Sequence, residues 1–345
     1  MSFSPRYTIT DQLLANIKRI NTLVAQLNNN HFPQVIVLEL ERNARAVSSY
    51  ASTSIEGNPL PLTEVKKILK SKPDSLEDSE REVLNYNQAL QDLNNKLKQG
   101  IAKLSLQLIL VIQKQMVEEL LPNFETGMLR QKPVVVNDPR TGQIVYLPPD
   151  VKDVKPLMED LVEFVNINRE KIDQLILAGI FHKQMVIIHP FMDGNGRTTR
   201  LVTKVLLAEM RLNTFNFFSF ENYYNKNVTK YFQTVGEFGN YYDLVEKMDF
   251  TSWLEYFTEG IINELLRIQK LLPGVAISPQ TQLQPYHEKM LNFIREKGFI
   301  ADRDYAKLTD RAKATRALDF QKLMEMGLIE RKAKGKATYY VLKDE

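Results

Sequence analysis

The chain has 345 residues, of which 43% are hydrophobic and 25% charged, and its formal net charge is +3. These values are ordinary for folded globular proteins and exclude disordered and fibrous classes, while the length predicts two or three domains. There is no cysteine, which excludes a disulfide framework and a thiolate metal site.

Neither the start of the chain nor its most apolar run has the pattern of a membrane or export segment. Residues 1–14 interleave polar and apolar side chains, so no signal-peptide hydrophobic region forms. Residues 175–188 are too few to span a bilayer and include His182, Lys183 and Gln184. We therefore expect a cytoplasmic protein in which this run is a buried helix.

The first hundred residues are predicted to be helical, because their apolar residues recur at helical spacing. One predicted helix, about residues 34–57, ends at a Gly-Asn-Pro stop signal. The next, residues 64–97, is broken near Pro73. We assign residues 1–103 to an amino-terminal helical region.

A β-hairpin is predicted over residues 132–147. Two β-branched segments flank a polar turn, Asn-Asp-Pro-Arg-Thr-Gly, at residues 137–142. A two-stranded ribbon is marginal in water, so another element must pack on it or pair with it. Binding a peptide by strand addition is one use of its exposed edge.

Further helices are predicted at residues 104–121, 154–165, 171–188 and 197–211, and within an aromatic-rich stretch at 220–272. We assign residues 104–272, hairpin included, to a second domain. The polar residues 273–284, which begin with Pro-Gly, are predicted to be a linker.

Residues 285–345 resemble a winged helix in the order of their predicted elements. Three helices precede two strands, and Gly335 lies at the tip of the turn between the strands. The basic residues of this unit that would contact DNA are Lys307, Arg311, Lys313, Arg316, Arg331, Lys332, Lys334 and Lys336. A DNA-binding regulator with a nucleotide-sensing core is therefore one alternative. Winged helices also dock proteins, which is the other interpretation of this unit.

Residues 189–200 read His-Pro-Phe-Met-Asp-Gly-Asn-Gly-Arg-Thr-Thr-Arg. A largely apolar helix stops at Pro190, a tight turn follows, and a new helix begins near Arg197. Unpaired N–H groups and the positive end of the helix dipole bind phosphate at such a terminus. Gly194 and Gly196 allow the backbone to approach a phosphate closely.

The charged side chains of this segment complement the turn. Arg197 and Arg200 project from one side of the first helical turn, where they would bind further phosphate oxygens. Asp193 is an oxygen ligand suited to Mg²⁺ already held by phosphates. His189, at the opposite end of the turn, is placed to take a proton from an attacking hydroxyl. Each feature alone has an ordinary structural explanation, but their conjunction predicts a phosphate-handling site.

This segment is similar to the signature of the Fic family, His-Pro-Phe-x-Asp-Gly-Asn-Gly-Arg-x-x-Arg, and every specified position matches. The resemblance implies a mainly α fold with a β-hairpin flap, residues 132–147, that holds a target segment by strand addition. It also implies a nucleotidyltransferase that moves AMP from ATP, with Mg²⁺, to a Ser, Thr or Tyr hydroxyl of a target protein and of itself.

The resemblance also implies a role for individual residues. His189 is the general base and Asp193 the metal ligand. The residues implied to bind ATP are Phe191, Gly194, Asn195, Gly196, Arg197 and Arg200, with Asn227 a further candidate toward the base. His182, seven residues before His189, is expected to be a packed core histidine.

An inhibitory element is predicted at the end of the helix at about residues 34–57. Glu56 lies at the negative end of that helix dipole, after three hydroxyl residues that are poor helix formers. Such local violations tend to mark functional sites. Ser52, Glu56 and Gly57 resemble the inhibitory motif of Fic proteins whose regulatory helix precedes the catalytic core. The resemblance implies that Glu56 pairs with Arg200 and blocks the γ-phosphate.

Some alternatives stay open at this point. Relatives of the family transfer phosphate or phosphocholine, or remove AMP, although Asp193 and the intact glycine-rich turn favour AMP transfer. The identity of the target protein and the formation of a homodimer are also left open.

Overall fold

The computed structural model describes residues 3–29, 34–73, 75–137, 142–208, 218–276, 283–333, 335 and 338–343. The chain divides into two units. The first unit comprises residues 1–29 and 44–268, and the second unit comprises residues 30–43 and 269–345. The tip of the predicted hairpin at 138–141, residues 277–282 of the predicted linker, and Lys334 and Lys336 lie outside the described residues.

The α-helices, in chain order, are α1 (Asp11–Asn28), α2 (Gln34–Ile55), α3 (Leu62–Lys70), α4 (Asp78–Lys98), α5 (Leu106–Met116), α6 (Val151–Asn168), α7 (Gln174–Ile188), α8 (Asn195–Ala208), α9 (Glu221–Asn225), α10 (Val228–Val235), α11 (Tyr241–Leu244), α12 (Thr251–Ala276), α13 (Pro285–Lys297), α14 (Asp302–Tyr305) and α15 (Lys313–Glu325). The strands are β1 (Val136–Asn137), β2 (Ile144–Leu147), β3 (Gly239–Asn240), β4 (Ile329–Lys332) and β5 (Tyr339–Leu342). The predicted mainly α fold with a small hairpin is confirmed.

Helix α7 forms the centre of the first unit. It is apolar on all sides, and nearly every one of its residues is buried, as expected for a helix surrounded by others. It packs between α6 and α8, and α8 also contacts α4 and α5. Within the described residues, no helix combines the length and apolar character needed to cross a membrane.

Helix α12 packs closely on α7 at Gly179. A Cβ on Gly179 would lie 2.5 Å from Leu254 Cδ2, so the contact requires glycine. Trp253 Nε1 donates to the carbonyl of Gly179 at 2.8 Å. This contact fixes α12 against the amino-terminal half of α7.

The flap, residues 132–147, has a partner strand that the sequence pattern did not indicate. Strands β1 and β2 are antiparallel, and β3 pairs with β2 in parallel, Tyr146 with Gly239 and Leu147 with Asn240. The strand order β1-β2-β3 leaves β1 at the edge of the sheet. Tyr146 is buried and donates its hydroxyl to the carbonyl of Ile187 at 3.1 Å, which ties the flap to the end of α7.

The second unit contains α13, α14, α15 and the antiparallel pair β4-β5, which is the predicted element order. Two of its arginines make bidentate ion pairs within the unit. Arg311 binds Asp319 at 2.8 and 3.1 Å, and Arg316 binds Asp302 at 2.8 and 3.0 Å. Gly335 has a φ of 67°, as a tight turn between strands requires. The description of residues 285–345 as a winged helix stays a prediction.

Several element boundaries differ from the predicted ones. Helix α5 ends at Met116 rather than near residue 121, because Val117 leaves the helical region, with φ −114° and ψ 14°, and Glu119 is left-handed, with φ 58°. The aromatic-rich stretch at 220–272 is divided among α9, α10, β3, α11 and α12. Helix α12 continues through Pro273 to Ala276, since a proline removes one N–H donor but does not necessarily end a helix.

Candidate active site

The loop between α7 and α8 is held in one conformation by its own side chains. His189 caps α7 in the left-handed region, with φ 49° and ψ 60°, which is uncommon for a residue other than glycine. The Asn195 side chain accepts from the N–H of Phe191 at 2.8 Å and donates to its carbonyl at 2.9 Å. Asn195 therefore shapes the loop, and its amide faces the loop backbone.

The His189 ring is oriented as a base. Nδ1 lies 3.3 Å from the carbonyl oxygen of Val186, and a carbonyl only accepts, so Nδ1 carries the proton and Nε2 has the free lone pair. Burial lowers the pKa of His189 below its usual 6.5, while the Val186 carbonyl and the charges of Glu56 and Asp193 oppose this. The ring is thus neutral at pH 7.

Arg130 is a buried cation next to this loop, and sequence reasoning missed it. It is 2% exposed, and its Nε donates to the carbonyl of His189 at 2.9 Å. Its backbone N–H donates to the carbonyl of Pro190, also at 2.9 Å. Its other guanidinium nitrogens donate to Lys132 O at 3.3 Å and Pro149 O at 2.5 Å.

Asp193 points outward from the loop, with its side chain 50% exposed. Oδ1 accepts from the N–H of Gly194 at 2.6 Å, and Oδ2 pairs with Arg197 at 3.0 Å. The backbone carbonyl of Asp193 accepts from Gln113 at 3.2 Å. Arg197 itself is buried and also binds Glu82 at 2.8 Å. Gln113 and Glu82 are therefore further residues of the site that the sequence pattern did not reveal.

Arg200 is fully buried and binds two residues at the end of α2. Nε donates to Ser52 Oγ and Nη2 to the carbonyl of Ser52, both at 2.8 Å, and Nη2 donates to Glu56 Oε1 at 2.7 Å. Burial lowers the pKa of Arg200, but the Glu56 carboxylate, with smaller effects of Tyr231 and Tyr86, raises it more, so the pKa is raised overall. Nη1 has no hydrogen-bond partner among the described residues.

The carboxylate of Glu56 lies at the amino terminus of α8. A Cβ on Gly196 would fall 2.1 Å from Glu56 Oε1 and 2.9 Å from Arg200 Nη1, so only glycine leaves room for both groups. Gly57 follows with a φ of 97°, which ends α2 and turns the chain. The charge of Glu56, disfavoured at the end of its own helix, is thus favoured by the dipole of α8 and by Arg200.

His182 lies in the core behind Arg200. Its Nδ1 is 3.0 Å from Thr203 Oγ1, and its Nε2 is 2.9 Å from the hydroxyl of Tyr231. Thr203 donates its own proton to the carbonyl of Thr199, so it accepts from Nδ1, and Tyr231 donates to Nε2. Burial, with a smaller effect of Arg200, lowers the pKa of His182 well below 6.5. It is a neutral packed histidine, as the sequence predicted.

The structure brings nearly all predicted site residues together, with Asn227 in a different setting. His189, Phe191 and residues 193–200 form the loop and the first turns of α8, and Ser52 and Glu56 meet Arg200. Phe191 is fully buried. Asn227 instead accepts from the N–H of Lys230 at 3.0 Å and caps α10.

These features agree with what comparison with known sequences finds. Residues 103–207 match the profile of the Fic/DOC family. The chain is 30% identical over 162 residues to Protein adenylyltransferase Fic of Nematostella vectensis, covering 46% of this chain and 36% of that protein. The chain is also 30% identical to the same-named protein of Drosophila erecta, covering 46% of this chain and 31% of that protein. The chain thus spans about a third of the length of these relatives. It carries a domain of the Fic/DOC family.

Solved structures show the same fold. A Fic family protein from Desulfovibrio desulfuricans G20 superposes with a TM-score of 0.67 at 20% identity, and the match covers 99% of each chain. A Fic domain containing signaling protein from Bacteroides thetaiotaomicron VPI-5482 gives a TM-score of 0.57 at 17% identity, covering 78% of this chain and all of that one.

Proposed function

We propose that this protein is an adenylyltransferase that transfers AMP from ATP to a Ser, Thr or Tyr hydroxyl of a target protein and to itself, and that Glu56 inhibits it. The observation that carries the proposal is a neutral histidine with a free Nε2 beside a helix amino terminus that already holds an anion, the Glu56 carboxylate. The similarity to proteins named adenylyltransferase supports it.

In the proposed reaction the target hydroxyl oxygen attacks the α-phosphorus of ATP. His189 Nε2 takes the hydroxyl proton as the new P–O bond forms, and the bond to the bridging oxygen of the β-phosphate breaks, so pyrophosphate leaves. The N–H groups at the start of α8, with Arg197 and Arg200, stabilise the phosphate charges. Arg200 Nη1, a buried donor without a partner among the described residues, is suited to a γ-phosphate oxygen.

Asp193 is the residue suited to Mg²⁺. Among the described residues no group of three or more His, Cys, Asp or Glu side chains forms a cluster that would bind a metal by itself. Mg²⁺ held by phosphates needs only one or two protein carboxylates, so a single half-exposed Asp193 fits. When bound, the ion would neutralise charge on the phosphates.

The proposed inhibition is competition for one position. The Glu56 carboxylate occupies the space beside Gly196 and uses Arg200 Nη2, both of which a γ-phosphate needs. Two anions cannot share this position, because their charges repel and Gly196 has room for one. ATP therefore binds in a productive geometry only when Glu56 moves away.

The test compares ATP labelled on the α-phosphate with ATP labelled on the γ-phosphate. Purified Glu56→Gly protein should incorporate the α-label into itself and none of the γ-label, and Glu56→Gly with His189→Ala should incorporate neither. Incorporation of the γ-label would indicate phosphate transfer instead. Release of AMP from a modified protein, with no incorporation, would indicate the removal reaction.

For the second unit, DNA binding has less support than the sequence suggested. Arg311 and Arg316, two of the residues predicted to contact phosphates, are held by Asp319 and Asp302. We therefore propose a protein-docking role for residues 285–345. Retention of the full chain on DNA in a salt-dependent manner would contradict this proposal.

A further inference from the structure

Arg130 lies where the flap joins the loop of His189. Its guanidinium donates to a carbonyl at each foot of the flap, Lys132 O and Pro149 O, and to the carbonyl of His189. Its backbone N–H binds the next carbonyl, that of Pro190. One buried side chain therefore joins both ends of the flap to the base.

The partners of Arg130 are unusual for a buried cation. Its hydrogen-bond partners among the described residues are all backbone carbonyls, and the carboxylate of Asp150, which favours its charge, makes no ion pair with it. Burial lowers the pKa of Arg130 although Asp150 opposes this, so the charge is held at a cost, and hydrophobic packing would stabilise this position better if stability alone mattered. We therefore assign the guanidinium a different role, which is to fix the positions of these carbonyls.

His189 needs such support, because its left-handed backbone is strained. A residue other than glycine in this region is strained and persists only when its surroundings hold it. Arg130 donates hydrogen bonds to the carbonyls of His189 and Pro190, which directly follow the strained φ angle of His189 along the chain. They fix the direction in which the imidazole leaves the backbone.

We propose that Arg130 is a positioning residue that couples the flap to the catalytic base, so that a target held on the flap presents its hydroxyl to His189 Nε2. The kinetic part of this inference rests on the proposed function. Arg130 contacts none of the donors assigned to ATP, namely Gly194, Gly196, Arg197 and Arg200, so its role is separate from nucleotide binding.

The kinetic test uses Arg130→Lys in the Glu56→Gly background, with self-modification by α-labelled ATP as the readout. Lysine keeps the charge but cannot reach three carbonyls in a fork. We expect the rate at saturating ATP to fall about 10- to 100-fold, as for a base displaced by a fraction of an ångström to 1 Å, with ATP affinity unchanged. The matched control is Arg6→Lys, since Arg6 also donates to a backbone carbonyl, that of Glu246 at 3.1 Å.

A second readout is independent of transfer. The chain has four histidines, so ¹³C-labelled histidine gives few NMR signals, and His189→Gln assigns the signal of His189. The charged groups facing His189 are Glu56 and Asp193, which raise its pKa, and Arg130, which lowers it. In the Glu56→Gly background, Arg130→Gln should therefore raise the pKa of His189, while Arg130→Lys should change it little.

The outcomes separate this inference from the proposed function. A raised pKa in Arg130→Gln without any AMP transfer by any variant would support the contact between Arg130 and His189, on which the coupling depends, and contradict the proposed function. Rates for Arg130→Lys equal to those of Arg6→Lys, or an unchanged pKa in a folded Arg130→Gln, would overturn the coupling. If both Arg130 variants fail to fold while Arg6→Lys folds, Arg130 serves stability alone and the inference is wrong.

Discussion

The base and its tautomer are set by single contacts around His189. The Val186 carbonyl fixes the proton on Nδ1, and burial keeps the ring neutral. Because the lowered pKa keeps Nε2 unprotonated, transfer should persist in mildly acidic solution. We expect the acid limb of the pH–rate profile of Glu56→Gly to lie below pH 6.5, the usual pKa of His. The loss of Glu56 in this variant moves the acid limb to still lower pH, since the Glu56 carboxylate raises the pKa of His189. An acid limb above the usual value would contradict this.

Removal of the base should affect chemistry and leave binding intact. His189→Ala deletes the imidazole while the hydrogen bonds of Asn195 to Phe191 still shape the loop. We expect a loss of transfer of at least about 100-fold, typical for a general base, with ATP affinity and thermal stability near those of the parent. Calorimetric titration with ATP provides the check, and robust label transfer by this variant would exclude His189 as the base.

Asp193 should matter only where a metal is involved. In Asp193→Ala the ion would lose its protein carboxylate, whereas Arg197 keeps its ion pair with Glu82 at 2.8 Å. We expect transfer to weaken and to require more Mg²⁺, with little change in folding. Titrating Mg²⁺ against rate for the parent, Asp193→Ala and Asp193→Asn tests this. A rate insensitive to both the mutation and a chelator would argue against a metal role.

At the scale of elements, the end of α2 and the start of α8 form the contact that we propose to be inhibitory. Glu56→Gly should raise transfer sharply, because Arg200 Nη2 and the space beside Gly196 become available to ATP. Folding should change little, since Ser52 still accepts from Arg200 and ATP can pair with it again.

The companion variant completes a double-mutant cycle. Arg200→Ala should transfer less than Glu56→Gly and should not be rescued by adding Glu56→Gly, because the released residue is then missing. Self-modification and ATP affinity are measured for all four proteins. Equal rates for the parent and Glu56→Gly, with additive effects in the double variant, would show that Glu56 does not inhibit.

What the sequence could predict at this scale depends on how local the signal was. Residues 189–200 are contiguous, so a single segment revealed base, loop and arginines. Glu56 lies 144 residues from Arg200; the local rule that it breaks marks the position, but its pairing with Arg200 follows only from the resemblance to an inhibitory motif. Glu82, Gln113 and Arg130 break no local rule, and only folding brings them to the loop between α7 and α8. Strand β3 has two residues, too few for any periodicity.

At the scale of the whole first unit, a buried ion pair joins four helices. Lys204 on α8 binds Glu221 on α9 at 3.0 Å, and both are almost fully buried. Ser48 on α2 accepts from Lys204 at 2.6 Å, and Tyr86 on α4 donates to Glu221 at 2.6 Å. Because these contacts lie one helical turn from Ser52 and Arg200, they hold α2 in place for the contact between Glu56 and Arg200.

Breaking this pair should cost stability. Lys204→Met leaves the carboxylate of Glu221 buried without a cation, so we expect a loss of about 3–5 kcal/mol in the free energy of unfolding. Urea unfolding measures it. The double variant Lys204→Met with Glu221→Leu should lose less, since no uncompensated charge remains. A double variant as unstable as the single one would show that packing, not charge, explains the loss.

The absence of space for a side chain at Gly196 has a genetic consequence under the proposed function. The inhibitor and the nucleotide use the same glycine and the same arginine, so a mutation at Gly196 or Arg200 disturbs the inhibitor and the substrate together. Such mutations abolish activity even as they remove the inhibition. Activating mutations are then confined to the α2 side of the contact, chiefly Glu56. Random mutation of this chain should thus yield many inactive alleles and very few hyperactive ones.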